Sequence, residues 1–203
     1  NFYYRNLMMK FEIYKYESVT STNDLAINLI KDKKKTIGFV SSEIQTQGRG
    51  TRGKKWISDK GNLFASIFFP LKEKYPAFDE FSIVNCIIVS DIIKKLCNER
   101  KKVNLKFPND ILLNGKKVCG LLQEVITFEK NNYLITGIGI NIQSNPDIEN
   151  TYKATNILFE TKKKYEKIEI IKLLILAYQS FFKEIDSYNF TQYREQAEAM
   201  AIN

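Results

Sequence analysis

Gly48-Arg49-Gly50-Thr51-Arg52-Gly53-Lys54-Lys55-Trp56 brings three glycines and four cations together in nine residues, directly behind an apolar run that reads as a strand. Glycine admits φ > 0 and close backbone approach, and arginine and lysine favour anionic groups. Such a segment can wrap a carboxylate or a phosphate, and it marks the candidate site. It also imitates signatures that would imply other folds. Residues 48–53 fit G-x-G-x-x-G, but a dinucleotide-binding unit needs a helix opening within the glycines and an acidic residue about 20 positions on. Thr51–Gly61 carries no 3.6-residue apolar period, and it runs through Trp56-Ile57-Ser58-Asp59-Lys60-Gly61 into another strand-like stretch. The Asp-Phe-Gly and His-Arg-Asp of kinases are missing. A P-loop fails because Lys55 stands where Ser/Thr is required. The bland alternative is a solvated basic loop.

Working outward, Ile37–Glu43 and Leu63–Phe69 read as strands flanking this loop. Phe11–Glu17 alternates like a strand, and Ser21-Thr22-Asn23-Asp24 offers N-cap chemistry for a short helix carrying Leu25, Leu29 and Ile30. Phe81, Val84, Ile88, Ile92 and Leu96 keep a helical period over a long, buried helix. Val103–Phe107 is a further strand. Asp110–Leu113, Asn114-Gly115 and Lys117–Phe128 form a hairpin, since Asn-Gly suits a type I′ turn. Tyr133–Ile142 pairs next, and the chain from about Lys167 is mostly helical. The expected class is α+β, a central mixed or antiparallel sheet with helices packed against it.

The chain has 203 residues, consistent with one domain, and 44% of them are hydrophobic, enough for a sizeable core. The formal net charge of +8 lies largely in lysine runs at 31–35, 94–95, 101–102 and 162–164, which read as solvated surface charge. No helix-turn-helix, RRM or zinc-finger spacing supports nucleic-acid binding. Histidine is absent, which excludes Ser-His-Asp and Cys-His catalysis and any His-ligated metal. Cys86, Cys97 and Cys119 have no C-x-x-C spacing, and a reducing cytoplasm is the simplest account of them. No stretch of 18 apolar residues reads as a membrane span.

Two strands carry more than apolarity. In Gly137-Ile138-Gly139-Ile140-Asn141-Ile142 the isoleucines face one way and Gly137, Gly139 and Asn141 the other. A face without side chains receives either a packed ring or helix, or a ligand that Asn141 would bind. In Lys116-Lys117-Val118-Cys119-Gly120 one lysine must point inward if the strand is half-buried, and an anion would justify it. Pro108 in Lys106-Phe107-Pro108-Asn109-Asp110 ends its strand abruptly and leaves two polar side chains at a corner.

In order and spacing, Ser21-Thr22-Asn23, Gly48–Trp56, Lys106–Asp110, Lys117–Gly120 and Gly137–Asn141 resemble the catalytic domain of biotin protein ligases (biotin–acetyl-CoA-carboxylase ligases). The resemblance spans about residues 11–200. It implies a fold like that of biotin and lipoate ligases and class II aminoacyl-tRNA synthetases, with residues 11–203 as one catalytic domain behind an N-terminal extension, 1–10. A helix-turn-helix domain and a C-terminal β-barrel, found in larger members, are not expected. The implied activity is ATP-dependent formation of biotinyl-5′-AMP, then transfer of biotin to a lysine of the biotin carboxyl carrier domain of acetyl-CoA carboxylase. A cytoplasmic location and a homodimer through sheet edges are also expected.

By resemblance, Lys117 and Arg49 are the catalytic candidates. Biotin would meet Ser21, Thr22, Asn23, Gln45, Gly48, Arg49, Gly50, Lys117 and Gly120. The nucleotide would meet Arg52, Lys54, Trp56, Lys106, Asn109, Asp110, Gly139 and Asn141. Mg²⁺ is implied, with no direct protein ligand assigned. Two departures stand out: Phe107 replaces a usual tryptophan, and Thr51 occupies a position often held by a basic residue that helps retain the adenylate. The alternatives are a lipoate protein ligase, whose glycine-rich motif differs, and a non-enzymatic biotin-sensing or nucleic-acid-binding module.

Overall fold

The computed structural model describes residues 9–97, 101–146 and 153–202. Residues 1–8, most of the expected N-terminal extension, lie outside the described residues. The elements run β1 (Glu12–Val19), α1 (Thr22–Lys33), β2 (Gly38–Gln45), β3 (Leu63–Pro70), α2 (Phe78–Leu96), β4 (Val103–Lys106), β5 (Asp110–Leu113), β6 (Lys116–Phe128), β7 (Asn131–Ile140), α3 (Ile157–Thr161), α4 (Lys167–Lys183) and α5 (Phe190–Met200).

The strands form one seven-stranded sheet in the order β1-β2-β3-β7-β6-β5-β4. β1 and β2 are parallel and every other pair is antiparallel. A parallel pair needs a crossover of a dozen or more residues, and α1 supplies it. Ser21 caps α1, its side chain accepting from the Asp24 N–H, and Lys34 closes the helix in the left-handed region. The β5–β6 hairpin turns on Asn114 (φ 51°) and Gly115 (φ 75°), the pair of positive φ values that a type I′ turn requires.

One sheet face packs on α2, α4 and α5 around Phe69, Phe81, Phe182 and Tyr178. The opposite face is covered at one end only. There α1 lays Ala26, Leu29 and Ile30 on Val40, Phe68 and Ile135. Burial of Leu29 and Ile30 stabilises the contact by roughly 1.5–3 kcal/mol each. The uncovered end of that face, beyond Ile135 on β7, is the glycine stretch, and there the site lies.

The structure differs from the sequence expectations at three places. α3 was not anticipated, because five residues are too few to display a period. A single 3₁₀ turn, Thr51–Gly53, sits inside the glycine loop where no helix was expected. β7 begins at Asn131 and stops at Ile140, so Asn141 and Ile142 follow the strand rather than end it. Among the described residues no helix is long and apolar enough to cross a membrane.

Candidate active site

A cavity of about 570 Å³ opens on the uncovered sheet face. That volume lies within the range of small-molecule sites. β7 and β6 supply its floor, with Gly139 opposite Gly120 and Gly137 opposite Leu122. The start of α1 and the end of β2 form one wall, and the glycine loop forms the lid.

The floor is not bare. The Trp56 indole lies against both central glycines: a Cβ built on Gly139 would stand 2.5 Å from Trp56 Cε2, and one on Gly120 2.6 Å from Cζ3. A Cβ on Gly137 would meet Asn23 Oδ1 at 2.6 Å. Of the two sequence readings of this face, packing against a ring holds for Gly139, and the same residues also line the cavity. Trp56 Nε1 is buried and meets no acceptor among the described residues.

Lys117 reaches this face through a register shift. β5 pairs Ile111 with Cys119 but Leu112 with Lys117, leaving Val118 as an extra residue. Val118 and Cys119 therefore both enter the core, and Lys117 falls on the side of Gly120. Strict alternation would have sent Lys117 into the core with Cys119. Its ammonium lies 2.7 Å from Asp110 Oδ1 and 5.3 Å from the centre of the Trp56 ring. The backbone of Lys117 is held by the neighbouring segment, donating to Lys153 O and accepting from Thr155 N–H.

At the α1 end, neutral polar groups interlock. Gln45 Oε1 accepts from Thr22 N at 2.8 Å and lies 3.2 Å from Thr22 Oγ1, while Gln45 Nε2 donates to Ser58 Oγ at 3.1 Å. Ser66 Oγ donates to Asn23 Oδ1 at 2.6 Å and lies 2.8 Å from Thr22 Oγ1. Asn23 Nδ2 donates to Glu124 Oε2 at 2.6 Å. Glu124 also receives Arg49 in a two-pronged contact, Nη1 to Oε1 at 2.9 Å and Nη2 to Oε2 at 2.8 Å, while Nη2 reaches Asp24 Oδ1 at 2.7 Å. Hydrogen bonding to Glu124 raises the Arg49 pKa above its ordinary value, so the guanidinium stays charged.

The model of the biotin/lipoate A/B protein ligase family matches residues 15–141, from β1 to the residue just after the glycine strand. The chain belongs to this family. A biotin–[acetyl-CoA-carboxylase] ligase of Paracoccus denitrificans is 27% identical over 179 residues, 86% of this chain and 74% of that protein. The bifunctional ligase/repressor of Escherichia coli is 34% identical over 127 residues, 61% of this chain but only 38% of that longer protein. Among solved structures, biotin protein ligase from Leishmania major in complex with biotin superposes with a TM-score of 0.81 at 25% identity, covering 96% of this chain and 83% of that one. The Aquifex aeolicus ligase in complex with biotin and ATP gives 0.77 at 26% identity, covering 94% and 78%.

Within this ligase fold most of the expected site residues converge. Ser21, Thr22, Asn23, Gln45, Arg49, Gly50, Lys54, Trp56, Asn109, Asp110, Lys117, Gly120, Gly139 and Asn141 all line the one cavity. Three do not. Arg52 is exposed, with a left-handed backbone (φ 55°), and lies outside the cavity wall. Lys106, the last residue of β4, also lies outside it. Gly48 is buried beneath the loop, and a Cβ there would stand 2.4 Å from the Trp56 carbonyl oxygen, so its place is to let the two loop strands touch. Asn141 is engaged by the protein, donating to Thr155 O at 3.1 Å. Asn109 likewise donates to Leu121 O at 3.0 Å. Sequence reasoning missed Ser66, Asp24, Ser58 and Glu124. Of these only Glu124 had a signal, standing at even spacing from Gly120 on the same strand.

Proposed function

We propose that this chain is an ATP-dependent biotin protein ligase, and that the cavity above Gly120 and Gly139 is where biotin is adenylated. The observation that carries this reading is the meeting of two cations, Arg49 and Lys117, with a neutral amide and hydroxyl cluster in one cavity of a biotin protein ligase fold. Biotin offers the matching halves, a neutral ureido ring and a carboxylate.

In the first step a carboxylate oxygen of biotin attacks the α-phosphorus of ATP and the bond to pyrophosphate breaks. In the second a carrier lysine amine attacks the acyl carbon, AMP leaves with the carboxylate oxygen, and the amine proton passes to solvent. Neither step needs a protein nucleophile, which suits a chain without histidine. Ser21, Thr22 and Gln45 hydrogen-bond the ureido ring. Lys117 bridges carboxylate and α-phosphate and offsets charge as the new bond forms. To do so it leaves Asp110, with which it is ion-paired at 2.7 Å. Arg49 covers the carboxylate, and Trp56, Gly139 and Asn141 take the nucleoside. Mg²⁺ would supply neutralisation of part of the triphosphate charge when bound. Such an ion is ordinarily held by one or two carboxylates plus phosphates, and Asp110, the carboxylate lining the cavity, would hold it once Lys117 has moved to the phosphate.

The carrier domain of acetyl-CoA carboxylase is the acceptor by analogy with the Paracoccus ligase. Three free, buried cysteines support a cytoplasmic location. A homodimer through β1 is supported by that strand's place at the end of the sheet and its exposed Ile13 and Tyr16; sedimentation at micromolar concentration tests it. The deciding experiment is biotin-dependent exchange of labelled pyrophosphate into ATP without any carrier. Exchange with biotin and not lipoate is expected, and exchange with lipoate alone overturns the assignment.

A further inference from the structure

In β3, Leu63-Phe64-Ala65-Ser66-Ile67-Phe68-Phe69-Pro70, Ser66 is the one polar side chain, and it is fully buried. A hydroxyl in such a place needs partners. It has two, Asn23 Oδ1 at 2.6 Å and Thr22 Oγ1 at 2.8 Å. Thr22 and Asn23 are buried as well, and both line the cavity, whereas Ser66 stands behind them and does not. Neither the resemblance nor the mechanism above uses it.

The partners fix where each proton lies. Asn23 Nδ2 faces the Leu122 carbonyl at 3.2 Å and the Glu124 carboxylate at 2.6 Å. Both of these accept, which assigns the amide nitrogen to that side and the amide oxygen to Ser66. Two oxygens 2.6 Å apart need a hydrogen between them, and an amide oxygen has none to give, so the Ser66 hydrogen lies there. A hydroxyl carries one hydrogen and two lone pairs. Toward Thr22, Ser66 is therefore an acceptor. Gln45 closes the other direction: its Oε1 accepts from the Thr22 N–H at 2.8 Å and lies 3.2 Å from Thr22 Oγ1. Thr22 Oγ1 thus has two hydrogen-bond neighbours among the described residues, and both are acceptors. Its hydrogen goes into the protein, to Ser66 at the shorter distance. What it offers a ligand is a lone pair.

We propose that Ser66 is a positioning residue that sets the direction of hydrogen bonding at Thr22: by accepting the Thr22 hydrogen it keeps that hydroxyl an acceptor, and so selects a ligand that brings an N–H. That the ligand is a cyclic urea rests on the ligase reading, whereas the order of protons does not. A urea ring supplies N–H donors. A ring oxygen or sulfur at the same place sets lone pairs against lone pairs, and both groups then give up water without gaining a bond. The dithiolane ring of lipoate has no N–H at all. Without Ser66 Oγ the Thr22 hydrogen keeps only Gln45 Oε1, which is farther off and already receives the Thr22 N–H. It can then turn to an oxygen on the ligand, so the loss falls on discrimination.

The probes are biotin and its two cyclic carbamate analogues, each with one ureido N–H replaced by oxygen. They are titrated by calorimetry, without ATP, into wild type and Ser66→Ala. Wild type should bind at least one analogue about tenfold or more weaker than biotin, and Ser66→Ala should cut that ratio to about threefold or less. A packing defect weakens biotin and analogue alike and leaves the ratio unmoved. An unchanged ratio in folded Ser66→Ala, or a wild type that binds all three equally, overturns the proposal. In pyrophosphate exchange Ser66→Ala should raise the KM for biotin about fivefold with kcat nearly unchanged; a fall in kcat alone overturns it too. A neutron structure of deuterium-exchanged wild type decides the matter even if Ser66→Ala does not fold. Deuterium on Thr22 Oγ1 directed at Ser66 is expected, and deuterium directed into the cavity overturns the assignment. If it points at Ser66 in a protein that neither binds biotin nor exchanges pyrophosphate, the order of protons stands and the ligase reading falls.

Discussion

Gly139→Ala is a small substitution with a large expected effect. The new methyl would stand 2.5 Å from Trp56 Cε2, 2.6 Å from Cζ2 and 2.8 Å from Nε1. Carbon atoms prefer about 3.5–4.0 Å, so the ring must retreat by roughly 1 Å or leave. β7 cannot yield instead, because it is paired on both sides, to β3 through Phe64 and to β6 through Gly120. Overpacking of this kind costs about 1–3 kcal/mol. In a Trp56→Ala background the clash is gone, and Gly139→Ala should cost less than about 0.5 kcal/mol, since alanine loses less backbone freedom than glycine on folding. The predicted coupling in a double-mutant cycle is thus about 1–3 kcal/mol. Urea denaturation followed by circular dichroism gives the four stabilities. The chain has one tryptophan, so emission reports the indole directly and should shift to the red in Gly139→Ala. Equal costs in both backgrounds, with unshifted emission, would mean the ring does not rest on this glycine.

Lys117→Ala should lower biotin-dependent pyrophosphate exchange by about 100-fold or more, with a urea midpoint close to wild type; near-normal exchange would remove Lys117 from the chemistry. Thr51 lines the cavity, and Thr51→Arg should slow release of the bound adenylate by about tenfold. Equal dissociation rates would sink that idea. The thiols set an alkaline limit: burial pushes Cys86 up to about 12 and Cys97 up to about 11, from 9.0. Both pKa values are raised in the folded state, so the stability they contribute is intact below pH 9 and is lost as pH climbs toward 12. Denaturation midpoints should fall over that window, and Cys86→Ala, measured against its own midpoint at pH 8, should fall less. A flat profile would refute the assignment.

Much of the fold was written in local patterns. Asn114-Gly115 demanded positive φ at two successive residues, and the hairpin formed there. Ser21 declared its helix by cap chemistry, and Pro108 marked where β4 had to stop. The glycine face of β7 was visible from its period of two, but not what would lie on it. Trp56 is 83 residues away in sequence from Gly139, and contacts of that separation leave no local trace. Ser66 and Glu124 were hidden for a related reason. Each belongs to an ordinary strand, and only the pairing of β3 and β6 with β7 sets them at the site. Arg52 and Lys106 belong to the motifs but do not line the cavity, since cationic type and motif membership do not fix which way a side chain is turned.

The unmatched Val118 turns the placement of Lys117 into a question of parity. Lys117 stands three positions before Gly120, so alternation alone would set the two on opposite faces, and the surplus residue at the bulge brings its ammonium round to Asp110. Many residues in that span are exchangeable for others of similar bulk, yet pairing Leu112 with Val118 instead, so that the bulge is ironed out, sends the charge toward Cys119 and the core. A chain with every residue kept but the bulge ironed out would fold a similar sheet and hold an empty hand over its cavity. Here register, as much as chemistry, decides where the charge stands.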